Sequence, residues 1–351
     1  MTTGMTMKTA LMTTGMKKMT IGTTMTTTMT TVLNQALECL QASQRPLLIA
    51  HPRPDGDTVG CTLALRLALI ALGKTPRIAC VHPLPGNLTH LPGAEAFESA
   101  IPEDADIDLV VAVDLSDLSR TGGLYQPAWA ERYPLLVIDH HATNDAFGDV
   151  NLIEPEAAAT ALPMARVIRA LGIPLRDDIA TCLLAALITD TRGLRTETTT
   201  SAVLRFVSEL VEAGGNYLGV MQRTLDAVPY QQMKAWGVAL SRLQLEVGIA
   251  WTTFPLTEKQ ALGIEDHDDL DLGNMLSQTR EAQLFATFLE MRDGTVKVSL
   301  RARPGYDVAW IAKQLGGGGH TQAAGYSLPG DLDTVVRDTM ALLRQELARP
   351  H

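Results

Sequence analysis

Cysteine is scarce and unpatterned. Cys39, Cys61, Cys80 and Cys182 form no C-x-x-C pair and lie in or beside apolar segments. That excludes a paired-cysteine zinc site, gives no basis for a disulfide framework, and fits reduced packing residues of a cytoplasmic protein. Aromatic residues reach only 5%. Trp129, Trp236, Trp251 and Trp310 are too dispersed to form a stacking platform, so each is expected in a core or interface, and a processive single-strand nuclease is disfavoured. Positive charge is in deficit, with 29 Lys and Arg against 39 Asp and Glu and a net charge of −10. A broad grip on duplex DNA needs a basic face; a small phosphate-bearing substrate at a metal centre does not. No uninterrupted apolar run reaches the roughly 18–20 residues of a membrane helix.

What the chain does have is apolar material. Hydrophobic residues make up 46% of 351 positions, enough for two domains. Residues 1–31 are the exception. They hold 8 of the 14 methionines and 14 threonines, and no acidic residue. Such Met-Thr repeats bury little and are expected to be disordered. They contain neither the apolar h-region of a secretory signal nor the arginines of a transit peptide, and a start codon assigned too far upstream is an alternative origin. The remaining chain divides into 32–215, a linker or connecting helix over 216–232, and 233–347.

In the first part, short apolar runs of strand length alternate with helical stretches. Strands are expected at Pro46–Ala50, Arg77–Val81, Leu109–Val113 and Leu135–Ile138. Helices are expected at Val32–Ala42, Val59–Leu72, Ala158–Leu171 and Asp178–Leu187. This pattern predicts an α/β domain with a doubly wound, mostly parallel sheet. The second part reads as a smaller α/β domain, with strands at Ala250–Phe254 and Thr295–Arg303, a helix at Val308–Leu315, and Gly316–Gly319 breaking that helix.

Several apolar runs end in a potential metal ligand. PLLIA leads into His51, Asp55 and Asp57; LVVAV into Asp114; LLVI into Asp139, His140 and His141; LLAALIT into Asp190. An aspartate after a strand is usually a helix cap or turn residue, and an adjacent histidine pair is commonly surface or packing. The conjunction is harder to explain that way. If these runs are neighbouring parallel strands, five aspartates and three histidines converge at the edge where open α/β sheets bind ligands. Bare carboxylates so close would repel one another, and two divalent cations would neutralise about four charges.

The stretch His51-Pro-Arg-Pro-Asp55-Gly-Asp57-x-x-Gly60, with Asp114, Asp139-His140-His141 and Thr189-Asp190-Thr191, resembles the four motifs of the DHH phosphoesterase superfamily. The sequence DHHATNDAFGDVNLIEPEAAAT resembles the branch of NrnA-type nanoRNases and 3′,5′-bisphosphate nucleotide phosphatases. Ser299-Leu-Arg301 and Gly316-Gly-Gly-Gly-His320-x-x-Ala323-Ala324-Gly325 are similar to the DHH-associated substrate-binding domain. The resemblance covers about residues 32–347. It implies one metal site of His51, Asp55 and Asp114 and another of Asp57, Asp114, His140 and Asp190, with Asp114 bridging. It implies Asp139 as the residue orienting the histidines and His141 facing the scissile phosphate. Mn²⁺ suits these ligands best, with Mg²⁺ or Co²⁺ as alternatives. In-line attack of an activated water on phosphorus would follow.

The fourth motif departs from the family pattern at Arg192, usually Gly, and at Leu194, usually aromatic; Arg195 stands where the family places an arginine. Four glycines in a row are commonly a linker, and Arg301 and Arg303 alone would read as a solvated strand edge. With the resemblance, Ser299, Arg301, Gly317, Gly318, Gly319, His320 and Arg195 become expected substrate contacts, gripping the non-scissile end of a short substrate. The implied activity is hydrolysis of short RNA to nucleoside 5′-monophosphates, with 3′-phosphoadenosine 5′-phosphate (pAp) as a second substrate. A cyclic dinucleotide phosphodiesterase is the nearest alternative, and a catalytically silent nucleotide- or RNA-binding module is one of another class. Expected partners are short single-stranded RNA or small nucleotides, without duplex DNA or membrane. The resemblance allows a homodimer.

Overall fold

The computed structural model describes residues 30–265 and 270–349. The Met/Thr leader lies outside them except for Thr30 and Thr31, which open helix α1 (residues 30–42). The chain forms two compact units, Met1–Ala227 and Val228–His351.

The first unit is built on six strands: β1 (Pro46–Ala50), β2 (Arg77–Ala79), β3 (Phe97–Glu98), β4 (Leu109–Val113), β5 (Leu135–Asp139) and β6 (Val150–Ile153). They are all parallel and lie in the order β3-β2-β1-β4-β5-β6. Every residue of β1, β4 and β5 is buried, which is why these strands read as continuous apolar runs. Side chains alternate between two cores. Leu48, Val111, Val113, Leu136 and Ile138 meet α2 (Gly56–Ala71), α3 (Ala161–Ala170) and α4 (Asp177–Asp190). Leu47, Ile49, Val110, Ala112 and Val137 meet Trp129 and short turns on the other face.

Register places the site. Ala50 pairs with Val113, and Val113 with Ile138, so three strands end in one line. The residues that follow start about 5 Å apart across the ladder. The order reverses between β1 and β4, which is the crevice where doubly wound sheets bind ligands.

After α4 come α5 (Ser201–Glu212), α6 (Tyr217–Val220) and a π-helical turn at Met221–Leu225. The stretch 216–232 is therefore largely helical, and Val220 packs into the first unit's core.

The second unit carries α7 (Tyr230–Ser241), β7 (Gln244–Glu246), β8 (Ile249–Phe254), α8 (Leu256–Ala261), α9 (Leu272–Leu276), β9 (Leu284–Glu290), β10 (Thr295–Ala302), α10 (Ala309–Gln314), β11 (Gly318–His320), β12 (Ala323–Pro329) and α11 (Leu332–Leu347). Its sheet runs β11-β12-β10-β9-β8-β7 and is antiparallel except for the β8–β9 pair. Val296, Val298 and Leu300 face a core closed by α10 and α11. Among the described residues no helix is long and apolar enough to cross a membrane.

Candidate metal centre

Each expected ligand has a structural reason for its position. Asp55 caps α2: its Oδ1 accepts the N–H groups of Asp57 at 3.0 Å and Thr58 at 3.2 Å. The cap leaves the other oxygen available, and Oδ2 lies 3.5 Å from His51 Nε2. Asp57, in the first turn of α2, is 1% exposed. Its carboxylate accepts N–H groups of Thr160 (2.7 Å) and Ala161 (3.3 Å) at the start of α3. Asp114 follows β4 with φ of 63°, a left-handed conformation costly for a residue with a Cβ. Its N–H bonds to Ile138 O at 2.9 Å, and Thr160 Oγ1 donates to its Oδ1 at 2.9 Å.

Asp190 is reached along the helix expected at Asp178–Leu187, so the conditional reading of the ligand-bearing runs as neighbouring strands holds for the other three only. LLAALIT belongs to helix α4, and Asp190 is its last residue. Two glycines of the first motif bring it in. A Cβ on Gly60 would lie 2.4 Å from Cys182 O, and one on Gly56 2.3 Å from Thr189 Oγ1. Only glycine lets α2 meet the backbone of α4 at Gly60 and the Thr189 side chain at Gly56, so that both helix ends reach the same point.

The histidines are set in their tautomers. His140 Nδ1 lies 3.1 Å from Ala157 O and donates to that carbonyl, so Nε2 is the atom free to face a ligand. That atom is 3.8 Å from Asp57 Oδ2, 3.9 Å from Asp114 Oδ1 and 3.5 Å from Asp190 Oδ2. His51 Nε2 is likewise 3.8 Å from Asp114 Oδ2. His141 donates through Nδ1 to Asp139 Oδ1 at 2.7 Å, and Asn144 Nδ2 donates to Asp139 Oδ2 at 2.5 Å.

The ligand gaps of 3.5–3.9 Å are too long for hydrogen bonds. Two atoms each about 2.1 Å from one shared ion lie about 3.0–3.8 Å apart. His51, Asp55 and Asp114 form one group of converging ligand atoms; Asp57, His140 and Asp190 form a second; Asp114, His140 and His141 form a third. Asp114 stands between the first two.

Electrostatics make the same demand. Burial pushes Asp57 well above the usual carboxylate range, and Asp190 and Asp55 add to it. Asp114 is raised for the same reason, first by burial and then by Asp57, Asp55 and Asp139. Burial also raises Asp190. Burial opposes ionisation of Asp55 and Asp139 too, but their histidine and N–H partners overcome it and hold both low. The hydrogen bond that His141 donates to Asp139 raises His141. A buried cluster of carboxylates that cannot all ionise against one another is completed by cations. Its oxygen and imidazole donors fit divalent metal ions of the first transition row.

A cleft of about 390 Å³ opens over this cluster, lined by His51, Pro52, Arg53, Asp55, Asp114, Ser119, Arg120, His141 and Asp190. Thr160, Asn144, Arg53, Ser119 and Arg120 were not singled out from the sequence. Thr160 and Asn144 lie inside the quoted DHHATNDAFGDVNLIEPEAAAT stretch, so their signal was present. Arg195 is exposed and does not line the cleft.

A family profile for the DHH family N-terminal domain matches residues 46–187, and one for the DHHA1 domain matches residues 264–348. A Thermus thermophilus protein named bifunctional oligoribonuclease and PAP phosphatase NrnA is 36% identical over 314 residues, spanning 89% of this chain and 93% of its own length. The chain belongs to the DHH family. A Bacillus subtilis protein of the same name is 22% identical, over 85% of this chain and 95% of that one. A solved structure of an exopolyphosphatase-related protein from Bacteroides fragilis shares the fold, with a TM-score of 0.82 at 19% identity, over 90% of this chain and 96% of that one.

The DHHA1 region holds the other expected contacts. Ser299 and Arg301 share a face of β10 and line a cavity of about 130 Å³ with Asn274, Thr287 and Lys297. Gly319 and His320 line a different cavity, of about 450 Å³, with Asp307 and Lys313. Phe285, Arg301, Ala323 and His320 nevertheless stand in one row across four strands, so Arg301 and His320 point to the same face. The glycine run is no simple break. Gly318–His320 forms the edge strand β11. A Cβ on Gly317 or Gly319 would come within 2.2 or 2.5 Å of β12 carbonyls.

Proposed function

We propose that this chain is a metal-dependent phosphodiesterase that hydrolyses short RNA oligonucleotides to nucleoside 5′-monophosphates and removes the 3′-phosphate of pAp. The observation that carries the reading is the convergence of His51, Asp55, Asp57, Asp114, His140 and Asp190 into groups of ligand spacing at the switch point. The names of the Thermus thermophilus and Bacillus subtilis relatives support it.

His51, Asp55 and Asp114 would hold one ion, and Asp57, Asp114, His140 and Asp190 the other; Mn²⁺ is the ion proposed. Bound there, two divalent ions supply Lewis acidity at the phosphoryl oxygens and lower the pKa of the attacking water. Thr160 and the first N–H groups of α3 keep Asp57 and Asp114 aimed at the centre. Asp139 fixes the ring of His141 and favours its protonated form. His141 then offers a hydrogen bond or proton to the phosphate or leaving 3′-oxygen. Ser299, Arg301 and the β11 backbone are proposed to bind the far end of the substrate, which would restrict the enzyme to short chains.

The test is a product assay with Mn²⁺ on 5′-phosphorylated diadenylate, pAp and cyclic di-AMP in parallel, with Asp190→Ala as control. Mononucleotides from the linear substrates, absent with the variant, are the expected result. Cleavage of the cyclic substrate alone, or undiminished turnover by the variant, would contradict the assignment.

A further inference from the structure

Four residues of the metal cleft belong to no ligand group, Pro52, Arg53, Ser119 and Arg120, and the last three carry polar side chains. Arg53 lies two residues after His51, in the loop that follows β1. Ser119 and Arg120 lie on the 3₁₀ turn Leu118–Thr121, beyond β4. The two arginines therefore flank the switch point from opposite sides.

The turn is rigidly held. Asp117 caps it, accepting the Arg120 N–H at 3.2 Å, the Ser116 hydroxyl at 3.1 Å and the Ser119 hydroxyl. Gly122 ends it with φ of 64°, and a Cβ there would lie 2.7 Å from Val81 Cγ1 and 2.8 Å from Pro52 Cγ. The turn is thus pressed onto Pro52, beside Arg53, and the two loops are fixed to each other.

The framework engages the guanidinium groups weakly: Arg120 has one long ion pair, with Asp117. Arg120 Nε is 3.9 Å from Asp117 Oδ2, beyond hydrogen-bond reach, and its side chain is 44% exposed. Arg53 is exposed and makes no ion pair among the described residues. Neither pairs with a carboxylate of the cluster.

Charge explains their use. The carboxylates of Asp55, Asp57, Asp114, Asp139 and Asp190 outnumber by one the positive charges of two divalent ions. A phosphate would approach a centre that is not positive, and two guanidinium groups at the mouth reverse that sign. Arginine's fork also matches phosphoryl oxygens that the ions leave free.

We infer that Arg120, assisted by Arg53, is the phosphate clamp of the metal cleft, and that it holds a dianionic terminal phosphate more tightly than a monoanionic diester. The clamp sets the balance between the two proposed activities, and it rests on the phosphoesterase reading above. Lysine would keep the charge without the fork.

The test compares wild type, Arg120→Gln and Arg120→Lys on pAp and on 5′-phosphorylated diadenylate. KM and kcat are measured separately, with bound Mn²⁺ counted in each protein and inorganic phosphate used as inhibitor. Arg120→Gln is expected to raise KM for pAp about tenfold or more, the loss of a charge-assisted hydrogen bond. It should raise KM for the dinucleotide less, weaken inhibition by phosphate, and leave bound Mn²⁺ unchanged, with Arg120→Lys intermediate. Equal effects on both substrates, no effect on either, or loss of Mn²⁺ from the variant would overturn the clamp. Wild type inactive on both substrates would instead bring down the phosphoesterase reading beneath it.

Discussion

At the scale of the residue, the centre depends on groups that touch the proposed ligands from behind. Asp139 accepts from His141 and from Asn144 and never enters the ligand groups. Asp139→Asn should keep the bound metal and lower kcat by about 10²-fold or more, because the ring of His141 loses its partner and its charge. Metal counting beside single-turnover rates checks this; loss of metal would make Asp139 a ligand instead. Thr160→Val removes the hydroxyl on Asp114 and should weaken Mn²⁺ binding by about 10–100-fold, read by calorimetric titration. The fourth motif has its own residue-scale logic. Arg192 and Leu194 adopt φ of 50° and 65°, so the glycine usual at the first position is the conformationally easy choice, and this chain bears the strain of a side chain there.

At the scale of the element, the sheet ends are legible in sequence because they are locally determined. β1 and β4 begin and end where their apolar runs do, since a parallel strand buried on both faces is apolar throughout. The cap of α2 was less visible. Its helix starts at Gly56, three residues before the expected Val59, because Asp55 caps it. LLAALIT is ambiguous in kind: a helix buried all round has the same composition as a buried strand. The strand made by Gly318–His320 could not be read locally at all, since glycine has no strand preference and the pairing partner lies in β12. Arg53 stands inside the quoted first motif, whereas Arg120 was missed because its turn meets that loop through a non-local contact of Gly122 with Pro52. The contact between α2 and α4 gives a direct test. Gly60→Ala should destabilise the first unit by about 1–3 kcal/mol in chemical denaturation and weaken metal binding, because Asp57 and Asp190 ride on the two helices it would force apart.

At the scale of the whole molecule, binding of ions and stability are linked. The carboxylates of Asp57, Asp114 and Asp190, raised first by burial and then by neighbouring carboxylates, mark a folded state that resists charging without cations. Mn²⁺ at about 100 times its Kd should stabilise the folded chain by about 2.7 kcal/mol, or about 5–10 °C in the melting of the Met1–Ala227 unit, and EDTA should reverse it. A calorimetric scan with and without the metal reads this, and an unchanged transition would mean that the cluster holds no ion. The most direct measurement joins this linkage to the chemistry: metal-free protein titrated with Mn²⁺ while bound ions and hydrolysis of 5′-phosphorylated diadenylate are followed together. The expected result is two ions per chain, with turnover rising to its plateau as the second binds and both lost in Asp114→Ala. Full turnover in metal-free protein, or in Asp114→Ala, would contradict a two-ion phosphoesterase built on this edge of the sheet.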